Sequence, residues 1–210
     1  MKKKLPLVIY FSFLIIYLEL VYKALVLNNV FSINSLTIIL FSIPFIMINT
    51  ILCSLFSNKV NRRISIILSL FLTFIFISQY VYYLFYDSIF SVYSVKEGTG
   101  QVFGEFFNAI VKMVSDNVLS IILLLMPFIL FLIFGKKIFS FNKGKKSLVI
   151  ESISLLIFII ISLITVMFND KGMYSLKNVY TKTHAPMITI NKVGLLSMEC
   201  LDLERYLFGF

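Results

Sequence analysis

The stretch VLSIILLLMPFILFLIFGKKIFSFNKGKKSLVIESISLLIFIIISLITVMF, Val118–Phe168, holds two apolar runs separated by a short segment with five lysines. A helical run of roughly 20 apolar residues matches the about 30 Å of hydrocarbon in a bilayer. Within lipid, a helix is the form that satisfies its backbone groups inside one segment. The stretch therefore predicts two transmembrane helices joined by a basic turn. Read outward, the same rule gives five spans: Leu5–Leu27, Phe31–Phe56, Ile64–Tyr86, Val118–Phe134 and Leu148–Phe168. The expected fold class is an all-α membrane protein. Residues 1–168 form a five-transmembrane-helix bundle with an outer-face amphipathic helix. Residues 169–210 form a short extracellular juxtamembrane linker.

Composition agrees with this reading. The chain of 210 residues is 60% hydrophobic and 14% charged, with 23 Phe, 11 Tyr and no Trp. Soluble domains carry about 25% charged residues. The net charge of +9 would point to nucleic acid in a soluble protein. Here it points to basic loops facing anionic lipid, so nucleic acid is not an expected partner. Lys2, Lys3 and Lys4 followed by Leu5–Leu27 look like a retained first span, because the apolar run is too long for a signal peptide and no small-residue cleavage site follows.

Orientation follows from the basic residues. Lys2–Lys4, then Lys59, Arg62 and Arg63, then Lys136, Lys137, Lys143, Lys145 and Lys146 supply more than half of the 19 Lys and Arg, with no carboxylate among them. The opposite segment, Asp87–Asp116, sets Lys96 and Lys112 against Asp87, Glu97, Glu105 and Asp116. The positive-inside rule then predicts a cytoplasmic N-terminus and an extracellular C-terminus. Tyr80, Tyr82, Tyr83 and Tyr86 fall where an interfacial belt belongs. Pro44 and Pro127 predict kinks within the second and fourth spans.

Between the third and fourth spans, Phe103, Phe106, Phe107, Ile110 and Val114 recur at helical spacing, with Gln101, Glu105, Asn108 and Lys112 on the other face. That predicts a helix over about 101–116 lying on the outer leaflet or across the bundle's outer mouth, entered by a turn at Gly98 and Gly100. Met187–Asn191 reads as a short extended piece and Met198–Phe208 as helical.

Few residues remain for chemistry. Glu19 is the one carboxylate well inside a span, and Lys23 follows at the spacing of a helical ion pair. Two roles fit them: a notch for a lipid headgroup or phosphate, or a packing pair with Lys23 reaching to the interface. Gln101 and Glu105 are the other candidate headgroup or packing contacts. Thr181, Thr183 and His184 lack a third group to orient the histidine and read as solvated linker. Cys53 falls inside a span and Cys200 near the C-terminus, on the other side in this topology, so no disulfide is predicted. No phosphate-binding loop, zinc motif or nucleophile elbow occurs, so neither a catalytic nor a metal or cofactor site is expected.

The order of parts resembles the N-terminal membrane region of lipoteichoic acid synthase-like phosphoglycerol transferases, the sulfatase-fold enzymes anchored in Gram-positive membranes. The resemblance covers the whole chain. It rests on the five spans and their topology, on YVYYLFYDSIFSVYSVKEGTGQVFGEFFNAIV (Tyr80–Val111), and on NKVGLLSMECLDLERYLFGF (Asn191–Phe210), which is similar to the family's stretch leading into the catalytic domain. It implies a role in cell-envelope polymer synthesis, with phosphatidylglycerol as the lipid partner and glycerol phosphate as the group transferred. It also implies that the catalytic threonine and the Mn²⁺ site belong to a later domain, so that these residues alone are inactive and act as an anchor in the bacterial cell membrane. Scarce alanine and abundant Ile, Phe, Asn and Lys fit an AT-rich genome. The alternative is a stand-alone small polytopic protein, either a non-enzymatic partner or a transporter component. A sulfatase-like reading frame immediately downstream separates the two.

Overall fold

Residues 4–29, 32–93, 107–141, 144–168 and 172–209 are described by a computed structural model. The helices in chain order are α1 (Leu7–Leu27), α2 (Ile33–Leu52), α3 (Asn58–Tyr86), α4 (Phe107–Asp116), α5 (Val118–Ile138) and α6 (Lys145–Phe168). Three shorter ones follow: α7 (Leu176–Thr181), α8 (Pro186–Val193) and α9 (Leu195–Phe208). Helices α1, α2, α3, α5 and α6 are each long and apolar enough to cross a bilayer. The chain is an all-α, multi-pass membrane protein.

Helix ends differ from the apolar spans in an informative way. Helix α3 begins at Asn58, ahead of the expected Ile64, so Lys59, Arg62 and Arg63 ride on its first turns rather than in a loop. Helix α5 continues past Phe134 to Ile138, with Lys136 and Lys137 in its last turn, where cations favour the carbonyl end. Hydropathy marks the part of a helix that sits in hydrocarbon, and hydrogen bonding carries the helix beyond it. Helix α2 instead stops at Leu52, leaving a tight turn before Asn58. Pro44 and Pro127 both lie within helices.

The least lipid-exposed span is α1. Half of its central window (50%) is buried, against 11% for α6. Phe11, Leu14, Ile15 and Leu18 are fully buried in the core. Helix α3 turns Ser65, Ser69 and Thr73 inward, a row of small residues that lets neighbouring backbones come close. Each hydroxyl donates to the carbonyl four residues earlier, at 2.8, 2.6 and 2.9 Å, so none is left unsatisfied. Helix α6 leans mainly on α2 and leaves Ile153, Leu156, Ile160 and Met167 exposed, as a lipid-facing surface requires. Leu5–Pro6 (β1) pairs in parallel with Phe139–Ser140 (β2) and ties the N-terminal segment to the α5–α6 link.

Residues 172–209 pack on the bundle. Ile190, Leu195, Leu196 and Met198 belong to the same apolar cluster as Phe11, Leu14, Leu18 and Phe76. Met187–Asn191, expected to be extended, lies within helix α8. Pro186 opens that helix at a position where its missing N–H costs nothing and its fixed φ is already helical. Thr189 then donates back to the carbonyl of Ala185 at 2.9 Å, and Ile190 is fully buried in the core. Helix α4 supplies the second part of the helix expected over 101–116 and packs against α3 and α5. Gln101, Glu105, the turn at Gly98 and Gly100, and the basic residues Lys2, Lys3 and Lys143 lie outside the described residues.

Candidate functional site

Glu19 is only 3% exposed. Its carboxylate accepts the backbone N–H of Leu195 at 2.7 Å and that of Leu196 at 3.0 Å. These are the first two amides of α9, which helix geometry leaves without partners inside the helix. A carboxylate there meets two donors and the positive end of the helix dipole. Gly194 is required for the approach. Its φ of +88° is a left-handed value, and a Cβ at this position would sit 2.7 Å from Oε2 of Glu19. At 1.5 Å per residue, Glu19 stands roughly 12 Å short of the C-terminal end of α1. The start of α9 therefore reaches well down the side of the bundle, where protein covers its amides.

Lys23, 1% exposed, does not pair with Glu19 as the spacing predicts. Its Nζ donates to Oγ of Ser32 at 2.7 Å and to Oγ of Ser35 at 3.0 Å, at the start of α2. Glu19 is drawn to α9 and Lys23 to α2, so each side chain stitches α1 to a different neighbour. Both are enclosed by protein, and both roles are played within the bundle.

A second joint lies one helix away. Gln79 of α3 accepts the N–H of Phe90 through Oε1 at 3.1 Å, and its amide nitrogen donates to the Phe90 carbonyl at 3.0 Å and to the Glu199 carboxylate. Burial pushes Glu199 up to about 7; the Gln79 amide opposes the shift and neighbouring Asp202 adds to it. Asp202, 1% exposed, accepts Oγ–H of Ser91 at 2.5 Å, the N–H of Val92 at 2.5 Å and that of Tyr93 at 3.4 Å. Arg205 donates to the carbonyls of Val179 and Tyr180 at 2.8 and 3.3 Å, closing the C-terminal end of α7. Ser175 caps the other end of α7 by accepting the N–H of Asn178 at 3.2 Å.

His184 is half-buried rather than part of a solvated linker. Its Nε2 is 3.2 Å from Oγ of Ser91, and its ring packs against Tyr93 with centroids 4.9 Å apart. Serine, histidine and aspartate thus meet, in the wrong order for nucleophilic catalysis. A working triad puts the imidazole between the hydroxyl and the carboxylate. Here Ser91 stands in the middle, with its hydroxyl donating to Asp202, and the imidazole is not held between hydroxyl and carboxylate. Among the described residues no cluster of His, Cys, Asp and Glu is arranged to hold a metal ion. Cys53 and Cys200 form no disulfide.

Beside the Gln79–Glu199 joint, a cleft of about 640 Å³ runs along α3 between α2 and α9. Phe45, Phe71, Phe74, Tyr82 and Leu203 line it, with Gln79 and Glu199 as its polar wall. Phe71 and Phe74 are exposed on the lipid-facing side. The cleft is apolar along most of its lining, with its polar groups gathered at Gln79 and Glu199.

No family model, no curated protein and no solved structure matches the chain.

Sequence reasoning picked out Glu19 and Lys23 and missed what they bind. It also missed Ser32, Ser35, Gln79, Ser91, Glu199 and Asp202 as a connected set. One signal was available. A lone carboxylate deep in a span needs a donor, and Gly194 just before an apolar, helix-forming run marks a helix start whose amides are free.

Proposed function

We propose that the chain is the membrane anchor of a lipoteichoic acid synthase-like phosphoglycerol transferase, and that it acts by position. Its N-terminus is cytoplasmic, and residues 186–208 lie at the outer half of the bundle. There they hold a sulfatase-fold domain in register with lipid-borne glycerol phosphate. The observation that carries this reading is the joint between Glu19 and the first amides of α9. A flexible tether would let a following domain wander. A helix capped by a buried carboxylate and sharing the bundle's core fixes height and direction. The charge pattern along the chain supports the orientation. The cleft beside Glu199 supports a lipid substrate, because its volume and apolar walls suit part of one acyl chain of phosphatidylglycerol.

The test is a chimera in a Gram-positive strain depleted of its own lipoteichoic acid synthase. These residues replace the five N-terminal spans of that enzyme, ahead of its intact catalytic domain. Polymer made at the cell surface supports the reading, and Glu19→Ala in the same chimera should reduce it. A chimera that inserts with the catalytic domain outside and makes no polymer would sink the reading. So would a reporter after Phe210 that is active only in the cytoplasm.

A further inference from the structure

The opposite end of the molecule carries a feature the anchor role does not use. A cavity of about 560 Å³ is lined by Lys4, Lys59, Arg62, Arg63 and Lys136, with Asn58, Ile66 and Phe141. No carboxylate lines it. Residues 20–86 and 117–150 contain no acidic residue; Asp87 and Glu151 stand just beyond the two stretches, and neither lines the cavity.

Basic residues at the cytoplasmic edge are ordinary in membrane proteins. Scattered lysines on loops would carry no further meaning. These five come from three separate segments and are brought together by specific bonds. Asn61, 1% exposed, is the knot. It accepts the N–H of Phe56 at 2.9 Å and donates to the carbonyls of Phe56 and Phe141 at 2.8 and 2.9 Å. This joins the α2–α3 turn to the α5–α6 link. The β1–β2 pairing brings the N-terminal segment to the same place. Nζ of Lys4 then donates to the carbonyl of Lys136 at 3.0 Å, holding two of the cations on one rim.

Folding thus spends buried hydrogen bonds to gather like charges around a concave space. Like charges so placed repel unless an anion sits among them. Helix α3 starts at the cavity with Asn58, has no acidic residue in its first turn and no side-chain cap, so its dipole adds to the positive field. Two neighbouring guanidinium groups favour a phosphate over a carboxylate of similar charge, because their planar donors match its several oxygens.

We propose that this cavity binds the phosphate group of an anionic ligand. The same chemistry is offered by the headgroup of an anionic phospholipid in the adjoining leaflet and by soluble phosphate. The site lies at the far end of the bundle from the α9 joint and does not depend on the family reading.

The test uses the intact chain in a neutral detergent. One arm reads lipid retained in native mass spectrometry, phosphatidylglycerol against phosphatidylcholine. The other reads thermal protection by inorganic phosphate against chloride at equal ionic strength. The Arg62→Gln, Arg63→Gln double variant should lose about tenfold or more in the arm that binds. Lys137→Gln, at the same end but outside the cavity lining, should stay near the parent. Retention of phosphatidylglycerol alone assigns the ligand to lipid, and protection by phosphate alone assigns it to a soluble source. Either supports the site. An equal loss in Lys137→Gln reduces the effect to general surface charge and overturns the proposal. So does a parent protein that prefers neither anion. If the double variant loses its helical circular dichroism, Lys59→Gln, on an exposed first-turn position, takes its place under the same criteria.

Discussion

At the end of the bundle where α1 finishes, carboxylates hold the chain together. Glu19 takes two amides of α9, and Asp202 takes a hydroxyl and two amides after α3. At the other end the joints are made by neutral groups, Asn61 and a strip of parallel backbone, while among the described residues no carboxylate lines the cavity that five cations surround. The difference shows how a chain with 19 basic and 10 acidic residues divides its charge. An acceptor-only carboxylate suits helix starts, whose orphan groups are all donors. Lysine and arginine have no acceptor to offer there: Lys23 and Arg205 donate instead to hydroxyls and to helix-end carbonyls, and the cations at the other end stay around the cavity.

The contrast breaks most sharply at Glu19. Glu19→Ala leaves two buried N–H groups unsatisfied, which costs on the order of 3 kcal/mol, and α8 and α9 should detach. Hydrogen exchange at Leu195 and Leu196 would rise with the five spans still protected. Unchanged exchange there would mean that apolar packing alone holds α9. Gly194→Ala should act in the same direction, because its Cβ meets the same carboxylate and its φ is strained.

Asp202→Ala comes next, at about 2 kcal/mol, because the segment it holds lies nearer to water and solvent replaces part of what is lost. Limited proteolysis near Tyr93 in detergent would report it. A third measurement concerns acidity. Glu199 titrates near 4.5 when unfolded and about 7 when folded, so the folded chain holds its proton longer. The docking of α9 should therefore weaken as pH rises from about 4.5 through 7, by about 1–2 kcal/mol, and stay level below that window. Melting curves of the parent against Glu199→Gln would check it, since the variant should lose this slope.

Lys23→Met should have the smallest effect, under about 1 kcal/mol. The buried cation is replaced by an apolar side chain of similar length, and Ser32 and Ser35, with oxygens 3.4 Å apart, can serve each other. A loss as large as that of Glu19→Ala would show that the two stitches carry equal weight.

The spans were legible because burial in lipid demands long apolar runs, and little else in a sequence looks like them. Their helical ends were not, since Asn58–Arg63 is polar yet helical and hydropathy is silent about it. Helix α8 was misread because Ile188, Thr189 and Ile190 favour strands, while Pro186 before them is also a good helix opener. Glu19 stood out as a costly group needing a partner. The partner was invisible because it is backbone, and backbone amides leave no mark in a sequence. Helical spacing then made Lys23 the obvious choice, although side chains in a span turn to whatever tertiary contact is best. Asn61 carried no signal at all, since its value lies in reaching Phe56 and Phe141 at once.

The bond between Glu19 and Leu195 spans 176 positions. During synthesis the acidic side chain enters the membrane with the first helix, and its amides emerge only after all five spans. At roughly 5–20 residues per second, the delay is on the order of ten seconds or more. Assembly of the bundle therefore waits on a late contact. A nascent chain interrupted before Leu195 carries an unquenched acid inside the bilayer, an unmistakable mark of an unfinished protein.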